Sequence, residues 1–254
     1  MKKLLILAGI IVSLTAAHVV IAQSIQGVIT YENKINLHRR IPAEREAQKA
    51  MIPEYRTTKN QLFFNENESI FKPLIEDEEE EITGGGGGFR MMFRNPNIEI
   101  HVDNTSSMVT TKQEFMGKEY LIEDTVKVSP WKFGTETKTI AGYECKQAYF
   151  TDEAQINING TMQTQKQEVT AWYTDKIRPF LGPERFMSLP GAVLAIDINN
   201  GERVIVAKKI ELRELKKSEL KKPSGGTKTT QKEYRAIVEE QMKNMGRNGM
   251  IIRN

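Results

Sequence analysis

Ten short stretches of strand-forming residues, each bounded by Gly, Asn, Asp or Pro, recur along the chain up to residue 212, and long amphipathic helical patterns are scarce before residue 228. The predicted strands span residues 25–32, 60–65, 69–71, 97–102, 108–115, 119–124, 143–151, 161–173, 192–198 and 204–212. Spacing of this kind predicts a mainly β protein built on an antiparallel sheet. Two pairings follow from turn chemistry. Asn199, Asn200 and Gly201 join the strands at 192–198 and 204–212 through a turn that wants positive φ, and an Asn- and Gly-containing turn at 157–160 joins the strands on either side of it. One short helix is expected at residues 43–51, entered through Pro42 and stopped by Pro53.

Composition narrows the class further. With 39% hydrophobic and 27% charged residues the chain has enough apolar surface for a core, and it is neither collagenous, nor wholly disordered, nor a polytopic membrane protein. The single cysteine, Cys145, excludes an intramolecular disulfide framework and any zinc site made of paired cysteines. Lys2 and Lys3 precede an apolar run to Ala22, and the small residues at Val20 and Ala22 suit signal peptidase. Residues 1–22 therefore read as a cleaved export signal, and the expected location is the periplasm or the medium. The rest divides into an antiparallel β domain at 23–222 and a linker with a helix at 223–254.

Within the β domain, residues 73–96 are expected to form a disordered loop. Six carboxylates run from residue 76 to 81 and repel one another, and five glycines at 84–88 have the most entropy to lose on ordering. The far end carries positive charge. From residue 207 to 254 there are 13 Lys and Arg against 6 Glu. Thr230 and Glu233 have the spacing of a capping box, and Tyr234, Ile237, Val238, Gln241, Met242 and Met245 trace one stripe of a helix that Gly246 would end. Such a helix either closes over the sheet or contacts a partner groove or lipid headgroups through residues 230–245. Export leaves nucleic acid as a poor partner.

No hydrolase or nucleotide-binding motif is present, and no catalytic residue is assigned. Cys145 lies in a strand with no histidine nearby, which suits a buried thiol better than a nucleophile. His101 with Asp103, or the thioethers of Met242, Met245 and Met250, would be the raw material of a metal site; surface and core roles explain both sets, so neither a metal nor a cofactor is expected.

The densest local signal runs from Ala171 through Trp172, Tyr173, Thr174, Asp175, Phe180, Gly182 and Pro183 to Phe186, Ser188, Leu189, Pro190, Gly191, Ala192 and Val193. A strand ending in aromatics enters a loop stiffened by proline and glycine, then returns to a strand. This segment resembles the GLPGLI family of secreted proteins of gram-negative bacteria. The hexapeptide appears here as Ser188-Leu189-Pro190-Gly191-Ala192-Val193, with its central Leu-Pro-Gly intact. Residues 140–148, which include Gly142, Tyr143, Cys145 and Ala148, and the tail at Lys222, Pro223, Lys228, Thr230, Glu233 and Tyr234 extend the resemblance over about residues 138–240.

The resemblance implies a strongly curved antiparallel sheet, similar to the half-barrel of LolA-type lipoprotein carriers, and companionship with outer-membrane TonB-dependent receptors. It carries no catalytic residues. The expected function is non-catalytic: a periplasmic binding or accessory protein that carries a hydrophobic ligand or docks a membrane transporter. The expected contact residues are Trp172, Tyr173, Phe180, Phe186 and Leu189, and the motif residues are Gly182, Pro183, Leu189, Pro190 and Gly191. Two alternatives stay open, an envelope hydrolase whose carboxylates converge only in three dimensions and a metal-handling protein. The loop itself has two readings. It either contacts ligand or is a crossover whose apolar residues fill the mouth of the sheet.

Overall fold

A computed structural model describes residues 26–41, 43–75, 96–158 and 161–248. Residues 1–22, expected to be an export signal, the acidic run and the glycine run lie outside the described residues. Twelve strands form one sheet: β1 (Gly27–Asn36), β2 (Tyr55–Phe64), β3 (Glu68–Pro73), β4 (Ile98–Asp103), β5 (Met108–Phe115), β6 (Lys118–Thr125), β7 (Lys132–Ile140), β8 (Tyr143–Ile158), β9 (Thr161–Thr174), β10 (Ala192–Ile198), β11 (Arg203–Leu212) and β12 (Thr227–Thr230). Helix α1 (Gln231–Asn248) follows β12. Their order across the sheet is β12-β6-β5-β4-β3-β2-β1-β11-β10-β9-β8-β7. The sheet is antiparallel except where β12 joins β6 in parallel. It curls so strongly that β7, four strands away from β11 in the order, approaches it within 8 Å between Cα atoms.

The mainly β, curved-sheet expectation is met, and both hairpins form where turn chemistry placed them. Asn199, Asn200 and Gly201 all have positive φ, and Arg39 Nη1 donates 2.8 Å hydrogen bonds to the carbonyls of Asn199 and Asn200, closing the turn from outside. At the other hairpin Ile158 pairs with Thr161. Residues 43–51 are helical, but as a 3₁₀ helix. Two strands have no counterpart in the pattern reading. The sequence of β7, KFGTETKTI, is exposed at nearly every position and lacks an alternating apolar face. It is the sheet's edge, with Lys132, Lys138 and an irregular register between Phe133 and Thr137, features that discourage a further strand from pairing. Strand β12 is only TKTT, too short to signal itself.

Directly paired residues share a face, so register sorts the core. Ile29, Leu62, Phe71 and Ile100 are aligned across β1 to β4 on the inner face, within one large apolar cluster that continues through β8 to β11. Val28, Phe63 and Ile70 are aligned on the outer face in a small cluster of their own.

Two devices cover the outer cluster and the far end of the inner face. After β11 the chain crosses the outer face as a strap, seating Leu215 and Leu220 on Val28, Phe63 and Ile70. Arg213 grips Glu219 through two hydrogen bonds of 3.0 and 2.6 Å, and Lys216 N donates to the same carboxylate at 2.7 Å. The strap ends beside β6, which explains the parallel pairing of β12: a chain that crosses over a sheet arrives in either sense, whereas a tight hairpin arrives only antiparallel. Helix α1 then starts with the expected capping box. Thr230 N donates to Glu233 Oε2 at 2.8 Å, and Glu233 N donates to Thr230 Oγ1 at 3.2 Å. Tyr234 stacks edge-on against Tyr120 and Phe115, with ring centroids 5.3 and 6.3 Å apart, and so covers the β5–β6 end of the inner face.

The grip of Arg213 lowers the Glu219 carboxyl from its ordinary value near 4.5 to about 2. Because the folded-state value is depressed, the stabilisation is present above the ordinary value and is lost as pH falls toward 2. Amides of residues 213–222 are therefore expected to lose hydrogen-exchange protection in acid before the β1–β11 ladder does. In Glu219→Gln the strap should exchange fast at every pH. Equal protection of strap and ladder down to pH 2 would show that Glu219 does not hold it.

Candidate functional site

The candidate site is the crossover from β9 to β10, residues 175–191, and its geometry follows from where its apolar side chains go. Ile177, Leu181, Phe186, Met187 and Leu189 all turn inward, and the sheet's large cluster includes all of them but Met187. Phe186 and Leu189 are each 1% exposed and Leu181 is 0%. Of the five expected contact residues, then, Phe186 and Leu189 are sealed, Tyr173 is buried, Trp172 is half-buried and Phe180 is 44% exposed. The loop brings Tyr173, Phe186 and Leu189 into the one cluster and leaves Phe180 outside it. A ligand reaches Phe180 and the edge of Trp172 directly; it reaches Phe186 and Leu189 only if the loop lifts.

The loop stays down because long-range hydrogen bonds hold it at several points. Leu181 bridges Ala192, and Val193 N donates to Leu181 O at 2.8 Å. Phe180 N donates to Leu189 O at 3.2 Å, which fixes Phe180 at a φ of 55°. Glu184, also at positive φ, is clamped by both terminal nitrogens of Arg203 on β11, whose Nε donates to Asn33 Oδ1 at 3.0 Å. Arg178 donates from Nε to Asn65 O and from Nη2 to Glu68 O at 3.0 Å, tying the loop to the β2–β3 turn; burial pushes its guanidinium down to about 10. Ser188 Oγ accepts from Ser129 N at 3.0 Å and from Trp131 Nε1 at 3.1 Å. The Ser188 hydroxyl thereby holds the entry to β7 against the loop. Under the loop, the fully buried Tyr31 hydroxyl donates to Val193 O at 2.7 Å, and burial pushes its phenol far up.

Gly182 and Gly191 are required for close approach. A Cβ on Gly182 would overlap the carbonyl oxygen of Phe186, and one on Gly191 would overlap that of Thr174, in both cases backbone that cannot step aside. Pro183 is buried and Pro190 exposed, so the motif's two prolines stiffen the loop at different depths.

The remaining candidate groups are engaged elsewhere. Cys145 is fully buried, its Sγ is 3.5 Å from Tyr143 O, and burial pushes the thiol up to about 11, far from a nucleophile's range. His101 Nε2 lies 2.8 Å from Glu68 Oε2 on the neighbouring strand rather than beside Asp103. The Asp103 carboxylate instead accepts from the hydroxyls of Thr105 and Ser106 at 2.6 and 2.8 Å, and these bonds hold it well below the usual carboxylate range. Among the described residues no three His, Cys, Asp or Glu side chains are placed to hold a metal. The side chains of Met242 and Met245, and all of Met250, lie outside the described residues. Sequence reading missed Tyr31, Arg178, Glu184 and Arg203. Arg178 and Glu184 lie inside the motif segment, but Tyr31, Arg178 and Arg203 each bond a partner more than a hundred positions away, and Glu184 bonds Arg203 on another element, so nothing local marked their roles.

Residues 131–195 match the family described as "Protein of unknown function (Porph_ging)". The matched stretch holds β7 to β9, the whole loop and the first residues of β10. It therefore includes the loop whose apolar residues join the large inner cluster. No curated protein matches the chain. Among solved structures, "Structure of PNGF-II in P21 space group" aligns with a TM-score of 0.51 and 16% identity over 84% of this chain. A second structure of that protein, in space group C2, aligns with a TM-score of 0.51 and 15% identity over 87%. The chain spans about a third of their length, 33% in each case, and at this identity the likeness is one of fold.

Proposed function

We propose that this protein is a non-catalytic accessory protein of the cell envelope, exported through residues 1–22 to the periplasm, that docks an outer-membrane transporter of the TonB-dependent type. The resemblance of the Leu189-Pro190-Gly191 loop to the GLPGLI proteins supports this reading. One observation carries the choice of docking over transport of a hydrophobic ligand: the inner face, where a carrier would keep its cargo, is already filled by Leu181, Phe186 and Leu189 from the chain's own loop. Carriers need a cavity of several hundred cubic ångströms lined by apolar groups. A side chain that is 1% exposed offers no contact area to a ligand.

The test is purification of a tagged copy from cell envelopes in mild detergent, with native mass spectrometry on the product. The expected result is an outer-membrane transporter in the eluate and a mass equal to that of the polypeptide alone once the transporter is removed. A stoichiometric fatty acid or lipid retained on the isolated chain would replace docking by carriage.

A further inference from the structure

From Arg213 to Lys228 the chain carries six cations against two carboxylates, a net charge of +4, and nearly all of it lies on the strap across the outer face. We propose that this strap is an electrostatic docking surface for an anionic phospholipid bilayer. The inference goes beyond the transporter-docking reading and does not rest on it.

The backbone that carries these charges is held in place, and most of the lysines on it are unpaired among the described residues. Leu215 and Leu220 seat the strap on the outer cluster, and Glu219 is consumed by Arg213 and by the amide of Lys216. The turn closes with Glu219 N donating to Lys216 O at 2.9 Å, so Lys216 and Lys217 project from pinned backbone. Lys216, Lys217 and Lys221 are exposed and have no ion pair among the described residues, while Lys222 makes a long ion pair with Glu123, at 4.0 Å. Unpaired cations held close together repel one another, and an anionic surface relieves that repulsion.

The chemistry of the strap selects a lipid surface over other anions. Leu215 and Leu220 pack beneath the strap on Val28, Phe63 and Ile70, so the strap lies against the sheet as a surface. The cations beyond Arg213 are all lysines, point charges suited to a diffuse layer of headgroups rather than the bidentate forks that single out one phosphate. No aromatic side chain stands between residues 213 and 228 on which a nucleic-acid base would stack. Helix α1 was the sequence's candidate for membrane contact, but its exposed charges among the described side chains cancel: Lys232, Arg235 and Lys243 stand against Glu233, Glu239 and Glu240.

The test is co-sedimentation of the purified protein with phosphatidylcholine vesicles, with and without about a third phosphatidylglycerol. Each lysine near such a surface strengthens binding roughly fivefold, so K216Q/K217Q/K221Q/K222Q should bind anionic vesicles at least ~100-fold more weakly than the unsubstituted chain. Binding should also fall steeply with salt. K232Q/K243Q on the helix serves as the control and should stay within about threefold of the unsubstituted chain. Unchanged binding by the strap variant, or loss in the helix variant, overturns the proposal. So does an unsubstituted chain that ignores anionic vesicles until the carboxylates at 76–81 are neutralised, since the strap's partner would then be the chain's own acidic run. Thermal unfolding of each variant confirms that exposed substitutions leave the fold intact.

Discussion

Phe186→Ala is expected to lower the unfolding free energy by about 3–5 kcal/mol, the range for emptying a sealed aromatic site. Phe186 is 1% exposed and packs within a cluster built from β1 to β3, β7 to β11 and the loop itself, so no single neighbour is free to collapse into the space. Phe180→Ala, six residues earlier on the same loop, should change stability by only about 0.5 kcal/mol, because its ring is 44% exposed. Equilibrium urea unfolding of the two variants measures both. The contrast matters for function. If both variants proved equally mild, the loop would not seal the inner face in solution, and a hydrophobic ligand would regain its place there.

Gly191→Ala should destabilise by about 3 kcal/mol, the upper end of what overpacking costs, although it adds a single methyl group. The Cβ would meet the carbonyl oxygen and carbon of Thr174 and the amide of Asp175, where β9 ends, and backbone on both sides is committed to the sheet. Gly182→Ala meets the Phe186 carbonyl in the same way. The informative comparison is Gly117→Ala, where nothing lies within 4 Å and only the positive φ of 76° objects, for a cost of about 1 kcal/mol. Thermal or urea unfolding of the three variants should rank Gly182 and Gly191 together and well above Gly117. The reverse ranking would mean that the motif glycines serve loop flexibility rather than close packing.

Both expectations bear on how the chain could be read. Of the two readings of the Leu189-Pro190-Gly191 loop, the crossover reading, in which its apolar residues fill the mouth of the sheet, describes where Leu189 and Phe186 lie. Sequence did not say which of Trp172, Tyr173, Phe180, Phe186 and Leu189 face inward. In a loop no period of two or 3.6 relates neighbouring side chains, so Phe180 and Phe186 look alike until the Phe180–Leu189 and Val193–Leu181 hydrogen bonds set the path of the backbone. Strand β7 was missed for a related reason. Pattern reading detects a half-buried strand by its apolar alternation, and an exposed edge has none.

Local chemistry within a few residues decided the strands, the Asn199-Asn200-Gly201 turn, the capping box of Thr230 and Glu233, and the stiffness of the crossover, because each depends on dihedral preferences or side-chain reach along a short stretch of chain. The curl of the sheet, the clamp of Arg203 on Glu184, the strap over Val28, Phe63 and Ile70 and the parallel arrival of β12 were decided only by tertiary structure. They join residues far apart in the chain, and register and twist accumulated over twelve strands bring those residues together.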